Sequence, residues 1–241
     1  MEDALATGLV AEEVLRYLSF REARNICGVS RAWRQAVNAS AAWTLADALG
    51  FSADAHALLR SLPERSRAVR VDVPPGDALS VVAEALALGL SKIEVYARTA
   101  DGSVILPDPK VQLKIEQLPY DGVHVVIQEP VTCAMLRLLM KYGSTLKTVI
   151  FLRGMIDVDE TDLAWFLESL TAVEELRLGS FPQKIDFDHL VDNVIGLKST
   201  LKMFQAEELN ISLTDLARMN QSLPSCEVAG VHVLALFAGL I

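Results

Sequence analysis

Histidines, cysteines and clustered carboxylates are the residues here that could do chemistry, and their spacing decides which chemistry is open. The four histidines, His56, His124, His189 and His232, are scattered through 241 residues. One of them closes a cluster, Asp186-Phe187-Asp188-His189. That cluster reads better as a helix start than as a metal site, with Asp186 as N-cap and Asp188 complementing the dipole. Cys133 follows Pro130-Val131-Thr132 at an expected helix start, where a thiol can be activated. No histidine accompanies it, and an inert cysteine in a packed helix is the plainer reading. Cys27, Cys133 and Cys226 are far apart with no CxxC, which excludes a disulfide framework or a zinc site and fits a reducing compartment. The run Asp157-Val158-Asp159-Glu160-Thr161-Asp162 lacks the glycine and terminal glutamate of a calcium-binding EF-hand loop. It reads as a solvated loop entering a helix. Glycine-rich phosphate loops and the GxSxG elbow are absent. The expectation is a protein that binds, with no catalytic residue, metal or cofactor.

Two kinds of element must position whatever does the binding. The first fifty residues read as short helices, with no proline before Pro63. Leu9, Val10, Val14, Leu15 and Leu18 have helical spacing, and Ala23, Ile26, Cys27 and Val29-Ser30 mark a second segment. A third spans Arg31 to Val37, and a short fourth holds Trp43 and Leu45. Helices this short in about 45 residues enclose little core, so the region needs a partner or an attached domain. Two of the three tryptophans of the chain lie there, and tryptophan is a favoured interface anchor.

From residue 51 onward the period alternates. Strand-like runs occur at 68–73, 92–96, 113–115, 123–127, 148–152, 175–178 and 202–205, with helical patterns at 79–90, 132–142, 162–170, 189–197 and 213–223. Taking Val71, Ile93, Val149, Leu176 and Phe204 as equivalent, the intervals are 22, 56, 27 and 28 residues. The interval of 56 holds an irregular strand insert near 111–128. A strand-plus-helix repeat of 20–29 residues predicts a leucine-rich-repeat-like solenoid. Leu146-x-x-Val149-x-Phe151 and Val173-x-x-Leu176-x-Leu178 read LxxLxL, and Leu201-x-x-Phe204-x-Ala206 is a weaker copy. The alternative is an ordinary α/β domain with a parallel sheet.

Charge and hydropathy narrow the partners. Acidic residues outnumber Lys and Arg by 31 to 22, giving a net charge of −9, which argues against a nucleic-acid surface. Hydrophobic residues make up 51% of the chain and the mean hydropathy is +0.31. The longest uncharged stretch, Val228 to Ile241, falls short of the ~20 residues a spanning helix needs. The acidic start, MEDALATG, lacks the basic end of a targeting peptide. These features predict an intracellular protein, cytoplasmic or nuclear or both, with no membrane partner. The apolar tail Val231–Ile241 is expected to close the last repeat or lie on the concave face.

The opening helices resemble an F-box. Val29-Ser30-Arg31-Ala32-Trp33, with Trp43 ten residues beyond Trp33, matches the family's V-S-x-x-W…W ending. Val14-Leu15 and Leu18-Ser19-Phe20 fall where the family has its I-L-S-x-L helix. Ala6-Thr7 stand in place of the usual Leu-Pro. The remainder is similar to the divergent leucine-rich repeats that follow the F-box in one large subgroup, with Gly154 and Phe181 where the usual turn has Asn. The resemblance implies a small all-α F-box module over residues 1–50 and an α/β leucine-rich-repeat-like solenoid over 51–241. It implies binding of a Skp-type adaptor, and through it a cullin scaffold, by Leu9, Val10, Val14, Leu15, Leu18, Ile26, Val29, Trp33 and Trp43. The implied function is substrate recognition in an SCF-type ubiquitin ligase. The alternatives are an F-box scaffold that ubiquitylates nothing and a stand-alone leucine-rich binding protein whose first helices are a cap.

In an LxxLxL strand the apolar positions face inward, so the intervening residues face the concave sheet surface. That places Lys92, Glu94, Tyr96, Thr148, Ile150, Leu152, Glu175, Arg177, Met203, Gln205 and Glu207 on one expected client-binding face. A register shift of one residue would turn every side chain over.

Overall fold

Six of the described helices start where a short polar side chain takes up a free backbone N–H. The computed structural model describes residues 8–15, 17–18, 20–40, 45–49, 54–63, 66–180, 187–206 and 211–229. They group into two compact units, 1–121 and 122–241. The first opens with α1 (Gly8–Leu15), α2 (Phe20–Cys27) and α3 (Arg31–Ala39). Ser30 caps α3, its hydroxyl accepting from the Trp33 amide at 3.2 Å. α3 packs on both α1 and α2 around a small core of Ala11, Leu15, Ala23 and Val37.

Three parallel strands follow in the same unit: β1 (Leu45–Asp47), β2 (Ala68–Val73) and β3 (Lys92–Ala97). Their register sets Ala46, Val69 and Ile93 side by side, and next to them Asp47, Arg70 and Glu94. The crossovers carry α4 (Ala55–Arg60), capped by Asp54, and α5 (Ala78–Ala87). α5 packs on β3 and buries Val81, Val82 and Ala85. It ends in a Schellman turn, with Gly89 N–H on Leu86 O at 3.0 Å and Leu90 N–H on Ala85 O at 3.2 Å. Gly89 supplies the positive φ of 75° that this turn requires. Beyond β3 comes α6 (Pro109–Glu116), capped by Asp108 through the Lys110 amide at 2.8 Å.

The second unit repeats one plan. Parallel strands β4 (Val123–Gln128), β5 (Leu146–Phe151), β6 (Glu175–Leu178), β7 (Met203–Ala206) and β8 (Glu227–Ala229) lie in chain order. Val125, Val149, Leu176, Phe204 and Val228 stand opposite one another in turn. The connections carry α7 (Cys133–Met140), α8 (Glu160–Ser169), a 3-10 turn (Phe187–Leu190) leading into α9 (Val191–Gly196), and α10 (Leu213–Ser222). Each helix packs on the next, so an apolar face that one repeat cannot bury alone is buried by its neighbour. Thr132, Asp159 and Ser212 cap α7, α8 and α10 by the same bond to the amide three residues on.

The LxxLxL positions are the core of this unit. Leu146, Val149, Phe151, Val173, Leu176, Leu178, Leu201, Phe204 and Ala206 are all buried, and the Phe151 and Phe166 rings lie 6.1 Å apart, tilted by 32°. Backbone bonds continue the stack beyond the strands, as from Met155 N–H to Ser180 O at 2.9 Å. At that turn a Cβ on Gly179 would lie 2.0 Å from Arg153 O, so the close approach of successive repeats requires glycine there.

Residues 113–115, Leu45 and Ile93 correct the sequence expectation. Residues 113–115 are helical, because Asp108-Pro109 starts α6 and its Gln112 and Glu116 pair one turn apart at 3.0 Å. Residues 111–128 hold the end of α6 and then the single strand β4, whose pairing with β5 shifts register between Val123 and His124 and sets Val125 opposite Val149. Leu45 is in a strand, held by pairing with Ala68. Ile93 stands opposite Val69, two residues from the Val71 chosen on sequence. Glu207, Asp186, His232 and the tail beyond Ala229 lie outside the described residues. Among the described residues no helix is long and apolar enough to cross a membrane.

Candidate protein-interaction surfaces

The opening helices carry more apolar side chains than they bury. Val14, Leu18, Ile26 and Trp33 are half-buried, and Val29 is 73% exposed. Val29 lies in the turn after α2, where Gly28 and Val29 donate to Asn25 O and Ile26 O. The next residue is the capping Ser30. The cap therefore fixes Val29 outside and Trp33 one turn into α3. Leu15 is corrected as a partner contact: it is 1% exposed, taken up by the small core of its own module. Leu9 and Val10 lie on α1 with side chains outside the described residues, and Trp43 lies wholly outside them.

The face expected to bind a client divides in two. In the first unit, Lys92, Glu94 and Tyr96 are buried, as are Arg70 and Asp72 beside them. The Arg70 guanidinium grips Glu94 with Nε on Oε2 at 3.0 Å and Nη2 on Oε1 at 3.4 Å. It also reaches Asp47 at 3.1 Å and Glu116 at 3.3 Å. The Tyr96 hydroxyl donates to Glu94 at 3.0 Å and lies 3.4 Å from Gln112 Oε1. Lys92 donates to the Glu116 carbonyl at 3.1 Å and stands 4.9 Å from the Tyr120 ring centre. Arg98 pairs with Asp72. α6 thus covers this face through Gln112 and Glu116.

Burial sets the protonation of this cluster. It opposes the charge on Arg70, but the bonds and charge of Glu94, with Asp47, more than offset this and hold the guanidinium protonated. Burial, with the Glu94 carboxylate beside it, pushes the Tyr96 phenol up. Burial lowers Lys92, against the pull of Glu94. A desolvated ion cluster of this kind is held by completeness, because removing one member strands another in a poor solvent.

In the second unit the same face grades from closed to open. His124, Val126, Thr148, Ile150 and Glu175 are buried, and His124 Nδ1 meets Thr148 Oγ1 at 2.9 Å. Leu152, Arg177, Met203 and Gln205 are half-buried. Arg177 Nε donates to Glu175 Oε1 at 2.6 Å. The expectation of one continuous exposed face is therefore corrected at Lys92, Glu94, Tyr96, Ile150 and Glu175, because parallel strands here are buried on both sides. An accessible strip survives at Leu152, Arg177, Met203 and Gln205.

One constellation escaped the sequence reading. His56 on α4 meets Glu84 through Nδ1 and Ser80 Oγ through Nε2 at 3.1 Å, both on α5. The order of hydroxyl, imidazole and carboxylate is that of an acyl-transfer relay. Ser80 Oγ also donates to Asp77 O at 2.9 Å, the ordinary bond of a hydroxyl in a first helical turn. The imidazole therefore faces an oxygen whose proton is already engaged, and the trio serves to clamp α4 to α5. Its members are 24 and 28 residues apart, so no local motif could signal it.

Two other singled-out residues make local contacts. Cys133 opens α7, and its hydrogen bond to Asp162 pushes the thiol up, as does burial. Asp188 accepts from the Ser212 amide at 3.0 Å, tying the 3-10 turn to the start of α10. Among the described residues no group of three His, Cys, Asp or Glu could hold a metal ion. No protein-family model matches the chain, and no curated protein is similar to it at a significant level.

Proposed function

We propose that the chain is a substrate-recognition subunit of an SCF-type ubiquitin ligase, working in the cytoplasm or nucleus. In this reading α1–α3 are an F-box that binds a Skp-type adaptor, and the second unit is a leucine-rich-repeat-like solenoid that presents a client. The chain does no bond chemistry itself; it raises the effective concentration of the client near the ubiquitin-carrying enzyme. The observation that supports this most is the apolar surplus on the helical module: Val14, Leu18, Ile26 and Trp33 half-buried and Val29 exposed, over a core of four small or medium side chains. The solenoid reading draws on the strictly sequential strand order of the second unit and on helices that pack neighbour on neighbour. Client contacts fall to Leu152, Arg177, Met203 and Gln205.

One observation favours the capping-helix alternative: α1–α3 share a compact unit with β1–β3. Co-purification with a Skp-type adaptor separates the two. Val14→Asp with Leu18→Asp places charge in an apolar contact, which typically costs a few kcal/mol, and is expected to abolish adaptor pulldown while the circular dichroism of the chain is kept. Undiminished pulldown by the double variant would sink the F-box assignment.

A further inference from the structure

The segment that follows β3 turns polar groups to the sheet and apolar ones to water. From Arg98 to Asp121 the one buried residue is Ile115, on α6. Leu113 on the same helix, and Ile105 and Leu106 before it, are each at least half exposed. What faces the sheet is polar. Glu116 accepts from Arg70 through its carboxylate and from Lys92 through its carbonyl, and Gln112 meets the Tyr96 hydroxyl. The Tyr120 ring lies against the Lys92 ammonium, and Lys114 and Asp121 have interaction partners as well. The segment leaves the sheet through a closed turn, in which Arg98 bridges Val104 and Asp101 accepts from the Ser103 amide and hydroxyl at 3.2 and 2.9 Å.

Apolar burial is what ties a surface helix to its domain. α6 has one buried side chain, where α5 has Ala78, Val81, Val82, Ala85 and Leu86. The rest of its hold is hydrogen bonds and charge, and water serves such groups nearly as well once they part. We propose that residues 105–120 are a lid that lifts from the charged face of β2 and β3 while the sheet stays folded. The turn over 98–104 remains with the sheet and is the hinge on one side. Beneath the lid lie Arg70, Lys92, Glu94 and Tyr96, all buried in the closed state. Opening takes Glu116 from both Arg70 and Lys92, but Arg70 keeps Glu94 and Asp47. Water that enters with the opening reaches Lys92, so no ion is stranded and the sheet has no reason to unfold. Segments with few buried apolar contacts are the ones that open below the global unfolding energy. The lid decides whether this charged face meets solvent, and the proposal does not depend on the adaptor reading.

Hydrogen exchange of the full chain, read by mass spectrometry, tests it together with acetylation of Lys92 by an N-hydroxysuccinimide ester. Peptides covering 105–120 are expected to be protected at least about tenfold less than those covering β2 and β3. Glu116→Ala removes the carboxylate and keeps a good helix former. It should speed both the exchange of 105–120 and the acetylation of Lys92 by a common factor of about two or more, as for a half-exposed ion pair. Lys110, exposed on α6, is the reference whose acetylation should not change. Sodium chloride added to the unchanged chain should act in the same direction by screening the Glu116–Arg70 pair, so the test stands even where the variant folds poorly. Protection of 105–120 equal to that of β2 and β3 would overturn the lid, by making the segment part of the sheet's cooperative unit. Faster exchange with Lys92 acetylation unchanged, in the variant and in salt, would overturn it too, because the helix would then fray without uncovering the face.

Discussion

The two units treat the same side of their strands in opposite ways. In the first, the positions between the apolar ones are Arg70, Asp72, Lys92, Glu94 and Tyr96, all buried. In the second they run from buried His124, Thr148 and Ile150 to half-buried Arg177, Met203 and Gln205. A charged face would ordinarily be the wetter one. Here it is drier, because α6 supplies Gln112 and Glu116 to complete the bonds of Arg70, Lys92 and Tyr96. The lesson is that a charge pattern along a strand does not report exposure. What decides is whether a neighbouring element brings the complementary groups. The sealed face stabilises, and the graded face keeps an accessible strip.

The sharpest way to break this contrast is to remove one member of the sealed cluster. Glu94→Ala leaves Arg70 buried without its main carboxylate, and an uncompensated buried charge costs about 3–5 kcal/mol. Denaturant unfolding of the full chain measures it. Replacing both partners, Arg70→Met with Glu94→Met, should recover most of that loss, since a matched apolar pair needs no hydrogen bonds. A double variant as unstable as Glu94→Ala alone would mean that Asp47 and Glu116 dominate the cluster.

The graded face makes a second, divided expectation. Ile150→Ala opens a cavity at a position 1% exposed and should cost about 2–5 kcal/mol. Gln205→Ala lies in the same cross-strand row two strands away, opposite Arg177, which is itself opposite Ile150. It should change stability by no more than about 0.5 kcal/mol, while weakening any client that uses the strip. Equal destabilisation by both would show the strip to be core, and the proposed client surface would go with it.

Much of this was legible in the sequence, and the failures have physical causes. Strands β2, β3, β5 and β6 stand out because Val, Ile and Leu cluster in short runs between turn residues, and the LxxLxL set fell on the core because three copies reinforce one another. Leu113-Lys114-Ile115 was misread as a strand since three residues cannot separate a period of 2 from a period of 3.6. The Asp108-Pro109 start was the signal that could have decided it. Lys92 and Glu94 read as outward because alternation assigns charge to solvent. Only the register, with Arg70 beside Glu94, shows that the charges neutralise each other inside. The pairing spans 24 residues, and pattern analysis along a chain carries no such information. The same limit hid the His56 clamp, whose members meet only once α4 and α5 are packed.

The smallest expected effect comes from a second glutamate, and it sharpens the comparison through contrast with Glu94. Glu174 precedes β6 and sits between two lysines of neighbouring repeats, 3.4 Å from Lys147 Nζ and paired with Lys202. Backbone bonds run through the same three residues, from Glu174 N–H to Lys147 O at 2.8 Å and from Lys202 N–H to Glu174 O at 2.7 Å. Its side chain is 34% exposed and that of Lys202 is 72% exposed, so water and salt screen both pairs. The Lys202 bond holds the Glu174 carboxyl below its ordinary value against the opposing effect of burial, with Lys147 adding to the shift. A lowered folded pKa means that the unfolded chain binds the proton first as pH falls. The ladder therefore contributes its stability above the ordinary glutamate range and loses it as pH drops through the folded value. Glu174→Gln should cost less than about 1 kcal/mol at neutral pH, because the backbone ladder survives and only screened charge is lost. The difference from the unchanged chain should shrink in 1 M salt and again toward pH 3, both read from denaturation midpoints. A loss as large as that of Glu94→Ala, or one indifferent to salt, would show that the lysine ladder carries the stacking of repeats and that exposure is the wrong measure of what these two glutamates do.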